Sequence, residues 1–586
     1  MNSKQVKRIV TSTGGILDGI LNLAVKSKLP DKKLLMIKNK AKKRQLADVL
    51  NSLNMLDFIR AERTLYSHSK MAQKLVLSDI IRTSADTEFG RKYHFDKIKS
   101  ISDFRKNVPI TSWSDYEDYS RRMTNGEENL LFPGQATFFY RTSGTTSDFK
   151  FIPESEKEVV ARKALTKARY MERVHASSFK ALSKVFSFYN KADMLITKGG
   201  IPAGTASGRT GQIAEDNVGA KTLGIQAYDP LIVEELEDEA LYYTIMRLTI
   251  VYDDMGAIMG NNAHMMSVMI DVAREHAKEI IEDIRYGTNK YELSDELASA
   301  EKEALTPNPA RADELLKLYD EDKFIPRYYW PNLRLASFWL GGSVGVFVNE
   351  IKDLLPKKVT YVDTGYGASE AKVNIPISAN TPAAPLSVFS SFYEFIPEEG
   401  GEVLLPEELE DGKTYELLLT TYGGLYRYRI KDYVRVDGFT GTTPNIYFVS
   451  KASDVANLTQ EKIAGSILIN ALSDIVSENG MRLCIAQIYP DSENTCYDIY
   501  IETDDIDMDT LTFNDIIEDG LCKKVVQYGR YRHELKLINK CNVYLMKEGF
   551  GETLNDKYSK GNATASQVKI PVVISERPDE NWIIRT

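Results

Sequence analysis

The chain has 586 residues, of which 43% are apolar, 27% charged and 10% aromatic. This length exceeds what one hydrophobic core usually serves, and the composition is that of a folded chain, so we expect at least two domains and little disorder. The 74 basic residues against 83 acidic ones give a formal charge of −9, which argues against sequence-independent binding to nucleic acid, because such binding needs a basic face.

The sequence also argues against a membrane protein. The longest apolar stretch covers residues 335–348, whereas a helix that crosses a bilayer needs roughly 20 apolar residues. We therefore expect a soluble, cytoplasmic protein with neither a membrane nor a nucleic acid as partner.

The first third of the chain predicts helices around one strand. Residues 73–90 have helical periodicity, and we expect Gly90 to end that helix. FFY at 138–140 predicts a strand, and residues 155–174 predict a second helix that begins just after Pro153. Strand, hydroxyl-rich loop and helix would follow one another in the order that directs backbone N–H groups at an anion.

Helices dominate the middle of the chain and strands follow. Residues 198–224 are glycine-rich and predict a long loop, whereas 231–303 have helical periodicity. Within this helical region one apolar face is formed by Met266, Ile270, Ala273, Ala277, Ile281 and Ile284. Alternating residues between 414 and 450 predict strands joined by tight turns.

The end of the chain predicts a separate small domain. Residues 451–462 carry charge and few large apolar groups, as a linker does, and beyond them helix, hairpin and helix alternate. All four cysteines lie in this last quarter without CxxC spacing, so we expect reduced thiols. The six histidines are scattered, which gives a zinc site or a histidine-based triad little support.

The first candidate site is the loop within FFYRTSGTTSDFKFIP, residues 138–153. Ser143, Thr145 and Thr146 offer hydroxyl donors, Gly144 allows close backbone approach, and Lys150 is cationic. A phosphate would suit such a loop, although GxxxxGK[ST] is absent. A cluster of this kind is also typical of an ordinary turn, so this motif alone leaves both possibilities open.

The second candidate site lies within VTYVDTGYGASEAKVNIP, residues 359–376. A predicted strand leads into a glycine-bearing turn, and the carboxyl end of such a strand is where ligands bind in α/β folds. Tyr366 could lie against a nucleobase, and Glu370 could hold a magnesium ion together with phosphate oxygens. The alternative is a strand end with an exposed glutamate.

The third candidate site lies within GGLYRYRIKDYVRVDGF, residues 423–439. Asp432 interrupts two predicted strands, and its carboxylate could accept two hydrogen bonds from a ribose diol. An aspartate in a turn between strands is the alternative that the motif alone leaves open.

Together these motifs resemble one family. Over about 500 residues, these motifs occur in the order typical of the Gretchen Hagen family of acyl-acid amido synthetases, which belongs to the adenylate-forming superfamily, and the chain resembles this family. The family is known from plant hormone conjugation and is also found in bacteria, and the chain resembles a bacterial-type member. The segments that carry the resemblance are TEFG, DFRKNVPITSWSDYEDY, GEENLL, TSGTT with FIP, GGIPAGT, YGASE, LYRYRI, GRYRHELKL and SQVKIP.

The resemblance implies a fold and two domains. We expect a combined α/β and α+β protein with a large N-terminal adenylate-forming domain of mixed sheets and helices, and a smaller, mobile C-terminal α+β domain. We place the boundary between residues 1–455, which would bind ATP and the acyl acid, and residues 456–586.

The resemblance also implies roles for particular residues. Ser143, Gly144, Thr145 and Thr146 fall where the family holds the ATP phosphates, Tyr366 beside the adenine, and Asp432 on the ribose hydroxyls. Glu370 falls where the Mg²⁺ and phosphates are met, and we expect it to act in catalysis. Lys451 matches the arginine of the hinge region, and Lys569 matches a lysine brought over the active site during adenylation.

The implied activity has two steps and two alternatives. An acid and ATP would form an acyl-adenylate, from which an amine, expected to be an amino acid, displaces AMP. Formation of a thioester with coenzyme A or a carrier protein is one alternative, and a non-catalytic nucleotide-binding relative is the other. The second alternative is motivated by two departures from the family pattern, since Asp148 lies in the altered phosphate motif and Lys431 replaces a glycine. The acid, the amine and the oligomeric state stay open.

Overall fold

The chain forms two compact units. The computed structural model describes residues 59–60, 62–142, 150–177, 183–188, 194–206, 208–209, 226–341, 348–451, 455–456, 458, 461, 463–504, 509–534, 536–559 and 570–584. The first unit comprises Met1–Leu340, Phe347–Ile430 and Arg435–Tyr447, and the second comprises Gly341–Val346, Lys431–Val434 and Phe448–Thr586. The predicted boundary at residue 455 stays a prediction.

Seventeen α-helices occur in the described part of the chain. They are α1 (Ser69–Thr83), α2 (Glu88–Lys92), α3 (Ile101–Asn107), α4 (Glu117–Thr124), α5 (Glu156–Ala176), α6 (Ile232–Glu235), α7 (Asp238–Ile250), α8 (His264–Glu275), α9 (Ala277–Tyr286), α10 (Asp295–Ala300), α11 (Pro309–Asp320), α12 (Pro326–Tyr329), α13 (Val348–Lys352), α14 (Gly465–Glu478), α15 (Thr510–Lys524), α16 (Val526–Gly529) and α17 (Phe550–Ser559). None of them is long and apolar enough to cross a membrane.

Eighteen strands occur in the same described residues. They are β1 (Phe138–Thr142), β2 (Lys150–Glu154), β3 (Lys184–Ser187), β4 (Leu195–Ile196), β5 (Pro202–Gly204), β6 (Met255–Met259), β7 (Leu335–Phe338), β8 (Thr360–Asp363), β9 (Ala384–Pro385), β10 (Ser391–Pro397), β11 (Thr414–Thr421), β12 (Tyr428–Thr440), β13 (Thr443–Lys451), β14 (Val455–Ala456), β15 (Ile463–Ala464), β16 (Leu483–Asp491), β17 (Cys496–Thr503) and β18 (Asn542–Leu545). Their sheet orders are β2-β1-β5-β4, β3-β6-β7-β8, β10-β11-β12-β13-β9, β14-β15 and β16-β17-β18.

A four-stranded parallel sheet organises the first unit. Strands β3, β6, β7 and β8 pair in parallel, with Ala257 opposite Leu335 and Phe338 opposite Asp363. Helices α7 to α9 pack their apolar residues against the sheet, and the six residues of the predicted helical face between Met266 and Ile284 are all buried. The carboxyl ends of these strands therefore meet at one edge, where ligands bind in α/β proteins.

Several predicted elements have other bounds in the structure. The helix predicted over 73–90 ends at Thr83, and Gly90 lies inside the short helix α2 rather than ending a helix. Thr87 caps α2 by accepting a hydrogen bond from Gly90 N at 3.0 Å, and a Cβ at residue 90 would collide with the Ser84 carbonyl. The glycine is thus needed for a close approach, which helical periodicity does not reveal.

Two predicted loops contain strands. Strand β5 lies within the glycine-rich stretch 198–224, and β14, which pairs with β15, lies within the predicted linker. The prediction that Asp432 interrupts two strands is wrong, because β12 runs through it without a break. The backbone at Lys431 has φ 62°, a left-handed conformation that glycine adopts most readily. Such a local kink does not end a strand.

The second unit contains a three-stranded sheet with helices α14 to α17, as the predicted α+β pattern required. Strands β16 and β17 form the predicted hairpin, and β18 pairs in parallel with β17. The C-terminal segment, residues 570–584, reaches both outer strands: Val572 and Ile574 bond to Ile488 of β16, and Ile584 N donates to Leu545 O of β18 at 2.8 Å. The four cysteines are free thiols, as expected.

Arg577 anchors the C-terminal segment at its middle. Its Nε donates to Asp498 at 2.9 Å and its Nη2 to Asp491 at 2.8 Å. Both carboxylates are buried and lie close to the Cys496 thiol. Because two buried carboxylates repel one another unless a cation lies between them, the guanidinium stabilises both the sheet and the segment that covers it.

Candidate functional site

A turn follows strand β8 at the carboxyl end of the parallel sheet. This turn, the YGASE turn, runs from Thr364 to Glu370 and folds back on itself, since Gly367 bridges to Lys372 and Val373 N donates to Tyr366 O at 3.0 Å. Tyr366 is buried at the start of this turn, and Glu370 is partly exposed at its tip. Both residues predicted from YGASE therefore lie in one structured turn at the edge where ligands are expected.

Two polar side chains fix the start of the turn. The Asp363 carboxylate accepts from Gly365 N at 2.6 Å and from Leu340 N at 2.7 Å. The side-chain oxygen of Asn374, Oδ1, accepts from Tyr366 N at 2.7 Å, and its side-chain nitrogen, Nδ2, donates to Ile446 O at 2.7 Å. Burial raises the pKa of Asp363 to about 6, although the two N–H groups oppose the shift. The start of the turn is thus held through its backbone N–H groups.

Helix α5 supplies three arginines to the same region, of which Arg162 and Arg169 are buried and Arg173 is partly exposed. Arg169 donates to Tyr366 O at 2.6 Å and to Asn374 O at 2.9 Å. Arg162 donates to Ser369 O at 2.7 Å and to Glu370 O at 3.2 Å. The helix therefore holds both ends of the turn through charge-assisted hydrogen bonds to carbonyl groups.

The third arginine, Arg173, reaches the end of strand β7 and donates to Ser337 Oγ at 3.2 Å. Burial lowers the pKa of Arg173 to about 10, and burial together with the charge of Arg173 lowers the pKa of Arg169 to about 9. These charges are kept in surroundings of low effective dielectric, where their interaction with a bound anion would be strong.

Glycine at position 365 allows Arg169 to approach the turn closely. Its φ of +91° lies in the left-handed region, and a Cβ there would lie 2.6 Å from Cζ of Arg169. An L side chain would therefore strain the backbone and displace the guanidinium. Gly365 is therefore required both by the backbone of the turn and by the position of Arg169.

The loop predicted to hold phosphate joins two strands rather than a strand and a helix. Strands β1 and β2 are antiparallel, with Thr142 opposite Lys150, and α5 starts only after β2 at its N-cap Ser155. The expected order of strand, loop and helix is therefore wrong, because five residues of strand, about 17 Å at 3.3–3.4 Å each, separate the loop from the helix. The predicted phosphate-binding residues Ser143, Gly144, Thr145 and Thr146 lie outside the described residues.

The other predicted site residues are only partly described. Asp432 is buried within β12, and Lys451 is the last residue of β13, with its side chain outside the described part. Lys569 also lies outside it. The structure thus brings Tyr366 and Glu370 together in one turn, and the site roles of these two residues, like those of the others, stay predictions.

The sequence analysis missed the residues that hold the turn. Arg162, Arg169 and Arg173 recur at helical spacings of seven and four, which places them on one face of α5. Basic residues on a helix usually face solvent. The spacing of these arginines therefore does not by itself indicate that they face the interior. No local signal marks Asn374, whose partners come from 72 and eight residues away.

Comparisons with solved structures define the fold. The solved structure of the acyl acid amido synthetase AtGH3.15 in complex with 2,4-DB superposes with a TM-score of 0.77 at 19% identity, covering 91% of this chain and 97% of that one. A second structure of GH3.15 acyl acid amido synthetase gives 0.75 at 20% identity, with 89% and 93% covered. The fold is therefore that of an acyl acid amido synthetase.

The family follows from the sequence models. The GH3 family N-terminal, central and C-terminal domains match residues 61–360, 385–451 and 468–578 respectively. The chain belongs to the GH3 (Gretchen Hagen) family. This confirms the family and the fold class that the motifs predicted.

Curated relatives of the chain carry names of amide-forming ligases. The 4-substituted benzoates-glutamate ligase GH3.12 of Arabidopsis thaliana is 25% identical over 88% of this chain and 94% of its own length. The indole-3-acetic acid-amido synthetase GH3.3 of the same plant is 23% identical over 86% and 89%. The jasmonoyl-L-amino acid synthetase GH3.5 of Oryza sativa subsp. japonica is 25% identical over 67% and 72%. All three names describe ligases, in agreement with the predicted class of enzyme.

Proposed function

We propose that this protein is an ATP-dependent acyl-acid amido synthetase that adenylates a small carboxylic acid and transfers the acyl group to an amine, an amino acid in the first instance. The observation that carries the proposal is the YGASE turn, held by its backbone at the carboxyl end of the parallel sheet in a chain of the GH3 family. The names of the relatives agree with an amino acid as acceptor.

The chemistry requires positioning and charge stabilisation. A carboxylate oxygen attacks the α-phosphorus of ATP, the bond to pyrophosphate breaks, and the amine then attacks the acyl carbon so that AMP departs. Because charge builds on the phosphate oxygens, donors fixed in advance lower the barrier, and removal of one such donor typically costs about 10²- to 10³-fold in kcat. We assign this task to Ser143, Thr145 and Thr146, with Gly144 allowing close approach, and to Lys569.

The turn fits a magnesium ion shared with phosphate. Glu370 is a partly exposed residue at the tip of a turn that two arginines hold, and carboxylate oxygens are ligands that Mg²⁺ prefers. When bound, the ion would neutralise phosphate charge. Tyr366 would contact the adenine, and Asp432 would accept from the ribose hydroxyls.

The two departures from the family pattern, at Asp148 and Lys431, would compensate each other in charge. Asp148 adds negative charge near the phosphates, and Lys431 supplies a cation in place of glycine. Lys451 would belong to the hinge between domains 1–455 and 456–586, and we expect a cytoplasmic protein.

The test is a screen for pyrophosphate release with purified protein, Mg²⁺-ATP and a panel of benzoates, indole-acetic and jasmonic acids, with hydroxylamine as acceptor. Active acids are then incubated with each amino acid and with coenzyme A, and the products are identified by mass spectrometry. Acid-dependent pyrophosphate release and an amide product are expected. A thioester would replace amide formation as the function, and nucleotide binding without acid-dependent turnover would indicate the non-catalytic relative.

A further inference from the structure

Arg162 connects three elements around the turn. Its side chain is only 5% exposed, and its Nε donates to Glu158 Oε1 at 2.8 Å within α5. Its Nη2 donates to the carbonyls of Ser369 and Glu370, and its guanidinium lies 4.2 Å from the ring centroid of Tyr140 in β1. One side chain thus joins α5, the strand that leads into the hydroxyl loop, and the tip of the YGASE turn.

The burial of Arg162 lowers the stability of the fold. In the part of the chain that the structure describes, the buried Nη1 of Arg162 has no hydrogen-bond partner. Leaving a buried polar group unpaired costs about 1–3 kcal/mol, and more when the group is charged. Burial also raises the pKa of its partner Glu158, although Arg162 opposes the shift. A pair held in this way is better explained by what it positions than by what it stabilises.

What it positions is Glu370. The Nη2 atom lies 3.2 Å from the backbone oxygen of the residue whose carboxylate we assign to Mg²⁺. Arg169 holds the start of the turn at Tyr366, so Arg162 alone among the three arginines of α5 contacts its tip. Movement of a reacting group by about 1 Å can cost about 100-fold in rate.

We propose that Arg162 is a positioning residue that fixes the main chain of Glu370 so that the carboxylate meets the metal and the phosphates of ATP. The inference rests on the proposed function. Lysine cannot replace it, because a single ammonium group cannot span Glu158 and two carbonyls as the planar guanidinium fork does.

The chain offers a matched control in Arg311, a buried arginine of α11. It too pairs with one glutamate, Glu314 at 3.1 Å, and donates to two carbonyls, those of Ile250 and Tyr329. Arg162→Lys and Arg311→Lys therefore remove similar hydrogen bonds, but only the first lies at the turn. Any loss due to a weakened fold should appear in both.

The experiment compares metal binding and turnover in the two variants. Mn²⁺ is titrated by EPR into protein saturated with α,β-methylene ATP, and pyrophosphate release is followed against Mg²⁺ concentration at saturating ATP. In Arg162→Lys we expect the Mn²⁺ dissociation constant to rise about tenfold and kcat to fall about 10- to 100-fold, with the KM for ATP within about threefold. Arg311→Lys should keep both values near those of the wild type.

A double variant tests whether Arg162 acts through Glu370. If it does, Arg162→Lys combined with Glu370→Gln should bind Mn²⁺ no more weakly than Glu370→Gln alone. Additive losses, equal shifts in Arg311→Lys, or an unchanged Mn²⁺ affinity in Arg162→Lys would overturn the inference. Arg162→Gln, which can still donate to one carbonyl, serves if lysine at position 162 prevents folding.

The two levels of the proposal fail separately. A wild-type protein that releases no pyrophosphate with any acid would refute the proposed function. An active wild type whose metal dependence is unaffected at position 162 would refute only the role of Arg162.

Discussion

Replacement of Gly365 by alanine should weaken the hydrogen bonds that Arg169 of helix α5 donates to the YGASE turn. The Cβ would strain a backbone at φ +91° and press on the Arg169 guanidinium, whose bonds to the Tyr366 and Asn374 carbonyls would be weakened. Backbone strain in the left-handed region costs about 1–2 kcal/mol, and a hydrogen bond to a charged group contributes about 1.5–3 kcal/mol. We expect a total loss of about 2.5–5 kcal/mol of unfolding free energy.

Gly412 provides the matched control for this prediction. It has φ +73°, and nothing lies within 4 Å of the position of its Cβ. Gly412→Ala therefore carries the backbone strain without the collision, and the difference between the two variants isolates the contribution of Arg169, about 1.5–3 kcal/mol.

Urea titration followed by tryptophan fluorescence is a suitable assay, since three of the four tryptophans, Trp113, Trp330 and Trp339, belong to the first unit. Acid-dependent pyrophosphate release is measured in parallel. Equal losses of stability for Gly365→Ala and Gly412→Ala, with activity retained in both, would refute the role given to the contact between Gly365 and Arg169.

Three further predictions concern single residues. Asp363→Asn removes a carboxyl whose raised pKa, about 6, makes the wild type lose stability as pH rises from about 4 through 6; relative to wild type the variant should therefore gain about 3 kcal/mol between pH 4 and pH 7, and a parallel pH profile in urea titrations would contradict this. Lys431→Gly relieves φ 62° and should raise the unfolding midpoint by the equivalent of about 0.5–1 kcal/mol while raising the KM for ATP through the lost cation; a lower midpoint would count against the strain. Lys569→Ala should slow adenylate formation by at least about 100-fold with little change in ATP affinity by calorimetry, whereas Lys557→Ala, at an exposed lysine of α17, should do neither; equal effects on rate and affinity would exclude the assigned role.

Elements whose signal is local could be predicted from the sequence. Strand β8, helix α5 and the hairpin of β16 and β17 each have a strong periodicity of their own, and each occurs in the structure. The YGASE turn was correctly placed at a strand end because a glycine-bearing turn after an apolar run is itself a local pattern.

What depends on distant contacts could not be predicted. Gly90 marks a close approach to Ser84 rather than a helix end, and the left-handed backbone at Lys431 has no signature in a lysine. Arg162 and Arg169 are buried because the turn about 200 residues later offers them carbonyl groups. Helix periodicity identifies a face of α5 but not the partner that covers it.

The C-terminal segment has a consequence for handling the protein. Residues 572–574 lie along β16 and residues 583–584 along β18, so each outer strand of this sheet forms backbone hydrogen bonds with the last fifteen described residues. Exposed outer strands readily pair with other chains. Proteolytic trimming before Pro571 would therefore leave a shortened protein prone to self-association, and intact carboxyl termini should be verified by mass before any oligomeric state is assigned.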